Sequence, residues 1–202
     1  RPSNKALVFD AWPCPSLAGV HQGLASAKII SELDLSSAFF QLELDQDSRA
    51  STAFACDNVL YQFCASPMGC SNSVQALARW LVWLFRDFMV GEKSKVNPGG
   101  RRCLQIYVDN LYIYSDSGNV EEHYEDLRAI LRVMSADDIV LKRNKSHLFM
   151  TAVKCLGFFL GGGHIYPDAD KVKAMRELPE PRKIRELRGC LGLFQFYSRF
   201  VP

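Results

Sequence analysis

The sequence predicts an α+β fold with a small helical lobe after it, and three observations carry that expectation. Short β-rich runs recur between residues 27 and 161, of which "LQIYVDNLYIYS" (Leu104 to Ser115) is the clearest. Two longer segments, at 71–90 and 120–136, repeat apolar residues at helical spacing. Beyond Pro167 the strand-like runs give way to "PDADKVKAMRELPEP" and "KIRELRGCLGLFQFYSRF", two helical patterns divided by Pro179 and Pro181.

Taken in order, strands fit "AKIISELDL", "FQLELD", "TAFAC" and "LYQFCA", each with β-branched or aromatic content and partial alternation. The segment at 71–90 offers Ser71 and Ser73 as N-caps and Val74, Leu77, Leu81, Leu84, Phe85 and Phe88 as one apolar face. "GEKSKVNPGGRR" at 91–102 breaks it as a loop with a Pro-Gly-Gly turn signal. "LQIYV" and "LYIYS" then read as a hairpin about Asp109-Asn110. The helix at 120–136 carries Tyr124, Leu127, Leu131 and Met134 as its stripe, with Glu121, Glu122 and Glu125 suiting the dipole of its first turns. "CLGFFLG" is a further strand, and Ile184, Leu187, Leu191 and Phe194 give the last helix its apolar stripe.

A chain of 202 residues that is 48% apolar can bury a substantial core as one large domain or two small lobes. The 24 basic and 22 acidic side chains nearly balance, which excludes a general field for polyanions and leaves nucleic-acid contact to local patches. The seven cysteines are scattered and form no C-x-x-C pair, so buried reduced thiols of an intracellular protein are expected rather than a disulfide framework or a zinc site. No run approaches the ~18 apolar residues of a membrane span. The N-terminus lacks the pattern of a secretory signal, and a start at Arg1 without Met suggests a fragment of a longer chain.

Two carboxylates stand out. Asp34 in "ISELDLSSAFF" follows a run suited to a sheet interior, and Asp109 lies between Ile106-Tyr107-Val108 and Leu111-Tyr112-Ile113. A carboxylate so placed is costly unless it is paired or holds a metal. Two aspartates at the ends of neighbouring strands suit a magnesium site for phosphoryl or nucleotidyl transfer. Read alone, Asp109 is equally a hairpin turn residue and Asp34 a strand-end cap, and the local pattern leaves both open.

Along nearly its whole length the chain resembles the reverse transcriptases of gypsy-type LTR retrotransposons. "RPSNK" is similar to the family's R-x-L-N-K, and "ISELDLSSAFFQLELDQDSRASTAF" resembles its first catalytic block. "LYQFCASPMGCSNSVQAL" looks like the hairpin and glycine turn before the long palm helix, and "IYVDNLYIYSDSGNVEEHYEDLRAIL" like the Y-x-D-D hairpin with its following helix. "KCLGFFLGGGHIYPDADKVKAM" resembles the primer-gripping turn, and "KIRELRGCLGLFQFYSRFVP" the thumb's "ELRSFLGLxNYYRRFIP".

The resemblance implies a right-hand polymerase fold: an antiparallel palm sheet backed by helices with partial fingers at 1–165, the fingers part at about 42–72, and the start of a helical thumb at 166–202. It makes Asp34 and Asp109 the magnesium ligands and places Asn110 at the third acid position. Phe39 would meet the nucleotide sugar, Pro67, Met68 and Gly69 would lie under the templating pair, and Leu156 and Gly157 would form the primer grip. Lys171, Lys173, Arg182, Lys183 and Arg185 would meet phosphates without reading sequence.

Three departures bear on activity. Asn110 is neutral where the family has the second Asp of Y-x-D-D, which lowers the expected metal affinity. The fingers hairpin before the R-x-L-N-K element, and any RNase H or integrase segment, lie outside this sequence. Val74 replaces the usual Pro, and the basic loop at 91–102 lengthens the approach to the Asp109 strand. The expectation is a catalytically inactive, reverse-transcriptase-derived domain with a protein partner, needing no cofactor. One alternative is a fragment of an RNA-directed DNA polymerase, silenced at Asn110 and otherwise magnesium-dependent. The other is a non-catalytic RNA- or DNA-binding module using the palm cleft and thumb.

Overall fold

The computed structural model describes residues 4–5, 7–13, 17–155 and 157–200. A four-stranded antiparallel sheet forms its centre, built from β1 (Ile29–Asp34), β4 (Leu104–Tyr107), β5 (Asn110–Ser115) and β6 (His147–Met150) in the order β4-β5-β1-β6. β2 (Phe54–Cys56) and β3 (Val59–Tyr61) make a separate two-stranded sheet, and β7 (Val153–Cys155), β8 (Phe158–Gly161) and β9 (His164–Pro167) a three-stranded one. The helices are α1 (Leu17–Ala25), the single turn α2 (Gln46–Arg49), α3 (Ser73–Val90), α4 (Val120–Ala136), α5 (Ala169–Arg176) and α6 (Ile184–Phe196).

Strand alternation divides the central sheet into two faces. Leu33, Leu104, Ile106, Leu111 and Ile113 pack with Leu77, Leu81 and Phe85 of α3 and with Leu127 and Ile130 of α4. On the opposite face Ile30, Tyr112 and Tyr114 meet Val20 and Leu24 of α1 and Val153, Phe158 and Leu160 of the three-stranded sheet. α6 is anchored at its end, where Tyr197 and Phe200 stack around Phe158 at ring separations of 5.1 and 5.5 Å. This is the α+β arrangement that the sequence predicts.

Several local expectations are corrected. "FQLELD" does not form a strand: Ala38–Gln41 is a 3-10 turn, and only Glu43 makes a bridge, to Ala65. The N-cap of α3 is Asn72 rather than Ser71 or Ser73, and its amide receives the Asp10 N–H and donates to the Val8 carbonyl. Ser73 lies inside the helix, hydrogen-bonded to Ser66 at 2.7 Å. α4 has the expected bounds but a rotated face. Tyr124 and Leu131 are exposed, while His123, Asp126, Ile130 and Val133 are buried beside Leu127 and Met134. Two polar residues on the inner face shifted the apparent hydrophobic phase. The α6 stripe of Ile184, Leu187, Leu191 and Phe194 faces outward.

Helix α1 escaped the sequence pattern because Gly19 and Gly23 weaken helix propensity there. At Gly23 a Cβ would come 2.6 Å from the flexible end of the Gln105 side chain on β4, which would have to shift to admit it. Among the described cysteines only Cys103 and Cys155 are buried, whereas Cys56 and Cys64 are exposed; all six described are free thiols. Among the described residues no helix is long and apolar enough to cross a membrane.

Candidate catalytic site

The pairing of β1 with β5 sets the site. Its register places Asp34 opposite Asn110 and Glu32 opposite Tyr112. In the β4–β5 hairpin Tyr107 pairs with Asn110, so the two loop residues are Val108 and Asp109, one position earlier than the expected Asp109-Asn110 turn. Val108 has φ 55° while Asp109 has no positive φ, as in a type II′ turn. A β-branched residue there is strained, and strained turns of this kind are held by their surroundings. Here the Leu35 N–H donates to the Asp109 carbonyl at 3.1 Å, tying the loop to the residue after Asp34.

Asp34 is held through its backbone as well. Its carbonyl accepts from the Lys142 N–H at 2.8 Å, and its N–H meets Ser146 Oγ at 3.2 Å. Its carboxylate, 17% exposed, has Lys145 Nζ at 4.0 Å. Asn110 Oδ1 is buried and meets no hydrogen-bond donor among the described residues. The amide thus places a neutral, unpartnered oxygen opposite Asp34. Among the described residues no group of three His, Cys, Asp or Glu side chains is placed to hold a metal ion. The two carboxylates with Lys145 beside them do not fit a two-ion clamp, which relies on excess negative charge.

Glu32 completes this face and was not singled out from the sequence. Its position two residues before Asp34 in "ISELD" is the signal that would have found it, since alternate strand residues share a face. Burial raises the Glu32 carboxyl above the usual carboxylate range, against a hydrogen bond from Tyr112 and the charge of His147. Tyr112 also reaches Cys155, and burial raises both the phenol and the thiol. A cleft of about 440 Å³ lies beside Glu32 and Asp34, with Lys145, His147 and Lys154 on its walls.

The remaining expected residues are distributed around this centre. Phe39 packs, partly buried, against the core under α3 and α4. Pro67, Met68 and Gly69 line a second cavity of about 640 Å³, whose lining does not include Asp34. Gly69 adopts φ 85°, and its carbonyl accepts from Asn4 Nδ2 at 2.9 Å. Leu156 lies outside the described residues. Gly157 has φ 88°, and its carbonyl accepts from the Asp168 N–H at 2.9 Å and from Tyr197 Oη at 3.1 Å. A Cβ at 157 would stand 2.7 Å from that hydroxyl. Lys171, Lys173, Arg182, Lys183 and Arg185 are all exposed; Lys173 stands 3.9 Å from Glu177.

Residues 5–160 match the family model described as reverse transcriptase (RNA-dependent DNA polymerase). The Pol polyprotein of the Drosophila melanogaster transposon gypsy is 29% identical over 201 residues, 100% of this chain and 18% of the polyprotein. That of transposon opus is 28% identical over 198 residues, 98% of this chain and again 18% of the polyprotein. The enzymatic polyprotein of cauliflower mosaic virus (strain Strasbourg) is 28% identical over 200 residues, 98% of this chain and 27% of its own length. The chain thus spans well under a third of these relatives. A foamy viral protease-reverse transcriptase solved with double-stranded DNA superposes with a TM-score of 0.83 at 24% identity, covering 96% of this chain and 31% of that one. The same viral protein solved with an RNA/DNA hybrid gives 0.78 at 24% identity, over 96% of this chain and 24% of its own. The fold is that of a reverse transcriptase polymerase domain, and with most of its length matched, the chain belongs to the reverse transcriptase family.

Proposed function

We propose that this reverse transcriptase domain does not polymerise and acts instead as a scaffold for a protein partner. The observation that carries the first half is the register of Asp34 against Asn110 with Lys145 Nζ 4.0 Å from the Asp34 carboxylate. A neutral amide at 110 and an ammonium near Asp34 leave Asp34 and Asp109 as the acids beside the turn, and burial favours the protonated form of neighbouring Glu32. Two carboxylates and a substrate's phosphates can hold one magnesium ion, but nucleotidyl transfer by the two-ion route needs both ions placed. A misplaced ion costs roughly 4 kcal/mol of barrier, about a thousandfold in rate. Exposed apolar side chains on α3 and α6, Trp83 and Ile184 the most open, favour the second half.

Primer extension on an RNA template tests the reading. The chain is expected to give no extension with magnesium or manganese and no rise in Tm with millimolar magnesium. Asn110→Asp is expected to gain a magnesium-dependent Tm rise, because it restores an acid at a position where Oδ1 has no partner. Templated extension by the unaltered chain would overturn the proposal.

A second reading, nucleic-acid binding without catalysis, is favoured by the exposed Lys171, Lys173, Arg182, Lys183 and Arg185 on the thumb elements. It predicts duplex binding that weakens steeply with salt. Binding to an RNA–DNA duplex no tighter than to an unrelated polyanion would dismiss it.

A further inference from the structure

The loop at 91–102 is a built structure. Asn97, 1% exposed, donates its side-chain amide to the carbonyls of Asp87 and Arg101, each at 3.0 Å. Arg101 then forks onto Asp126 of α4, with Nη2 to Oδ1 at 2.7 Å and Nε to Oδ2 at 3.0 Å. The loop is held like a brace across the end of α3 and the side of α4. Under it lies a groove of about 340 Å³, walled by Leu84 of α3, Val96 and Pro98 of the loop, and Ala129 and Val133 of α4. It follows α4 from Glu125 to Asp137, about 18 Å at 1.5 Å per residue. Because α3 and α4 pack against the sheet face opposite Asp34, the groove is separate from the candidate catalytic site.

The charges along the groove are unequal in their commitments. Asp126 is taken by Arg101, and Glu125 lies 3.5 Å from Arg128. Lys95 and Arg132 line the same groove and, among the described residues, form no ion pair. Arg132 also walls an adjoining depression with the exposed Tyr124 and Leu131. The surface therefore offers a recessed apolar wall beside two uncommitted cations; of its three lining acids among the described residues, Asp137 is the one without an ion pair.

We propose that this groove docks a protein segment that combines an apolar anchor with acidic side chains. The anchor would fill the recess between Val96 and Ala129, and the acids would meet Lys95 and Arg132. A nucleic acid suits it less, because a phosphate backbone offers no apolar side chain to fill the recess walled by Val96, Pro98 and Ala129. The proposal names the surface through which the scaffold proposed above would act, and it rests on that reading.

The test uses the full chain and a fluorescein-labelled peptide in which Asp and Glu alternate with Leu and Phe, followed by fluorescence polarisation. Saturable binding is expected, weakened roughly tenfold or more when Lys95→Glu and Arg132→Glu are combined. Val96→Asp should weaken it similarly. All three positions are exposed, and melting curves of the variants should match the parent. Absence of binding, equal binding of a peptide with Lys in place of its acids, survival of binding in the double reversal, or displacement by RNA–DNA duplex would each overturn the proposal. The scaffold reading fails separately: templated extension with peptide binding intact removes it and leaves the groove standing.

Discussion

His123 is fully buried in α4, with Nε2 2.8 Å from Ser31 Oγ on β1, and Ser31 Oγ also accepts from the Phe149 N–H. Its Nδ1 has no hydrogen-bond partner among the described residues. Burial pushes the imidazole below its usual pKa of 6.5, and Asp126 one turn away opposes this only in part. As pH falls through the unfolded value of about 6.5 the unfolded chain binds a proton that the folded chain resists, so stability is full above that pH and declines below it. Urea unfolding at a series of pH values should show this decline, and His123→Gln should remove most of it while costing about 1 kcal/mol near neutrality. An unchanged slope in the variant would assign the acid sensitivity to other groups. At this scale the sequence revealed identity better than placement. Asp34 and Asp109 were legible as costly carboxylates in apolar runs, but the turn fell one residue earlier than expected. The reason is that a turn at Val108-Asp109 needs φ > 0 at a valine, which local preferences argue against and only the pairing of Asn110 with Tyr107 enforces.

Between elements, two small tethers fix much larger parts. Arg101 holds the 91–102 loop to α4 through Asp126, whose side chain is 5% exposed against 39% for the arginine. Removing the arginine leaves a buried carboxylate unpaired, and with its partly open side discounted for solvent, Arg101→Ala should cost about 1–2 kcal/mol. Hydrogen exchange should localise the loosening to residues 91–102 and the first turns of α4; uniform loosening would mean that the ion pair is not the tether. The second tether joins Tyr197, just after α6, to the turn before β8. Gly157→Ala meets both a φ of 88° and the Tyr197 hydroxyl, so a loss of roughly 1–3 kcal/mol is expected. Pairing it with Tyr197→Phe should recover only the steric part, and full recovery in the double variant would show that the backbone angle costs little. Helix bounds were readable from the sequence where periodicity ran long, as in α3 and α4. Their facing was less so, because buried His123 and Asp126 break the hydrophobic phase for reasons that lie on β1 and in the loop.

Over the whole molecule, the core is the central sheet with its two helices and a second cluster around Phe158, while the last helix carries most of its apolar surface outward. The sequence pattern alone makes Leu81 of α3 and Leu191 of α6 look alike, each a member of an apolar stripe at helical spacing. Their surroundings differ: Leu81 is fully buried and Leu191 is 58% exposed. A stripe's exposure depends on what stands opposite it, and no local spacing encodes that. The difference in cost follows from packing. Leu81→Ala removes atoms from a filled interior and should cost about 2–5 kcal/mol, whereas Leu191→Gln exchanges one solvent-facing side chain for another and should stay within about 0.5 kcal/mol. Urea unfolding of the two variants at equal protein concentration measures both. A cost for Leu191→Gln comparable to that of Leu81→Ala, and growing with concentration, would mean that the α6 stripe is buried between copies of the chain in solution.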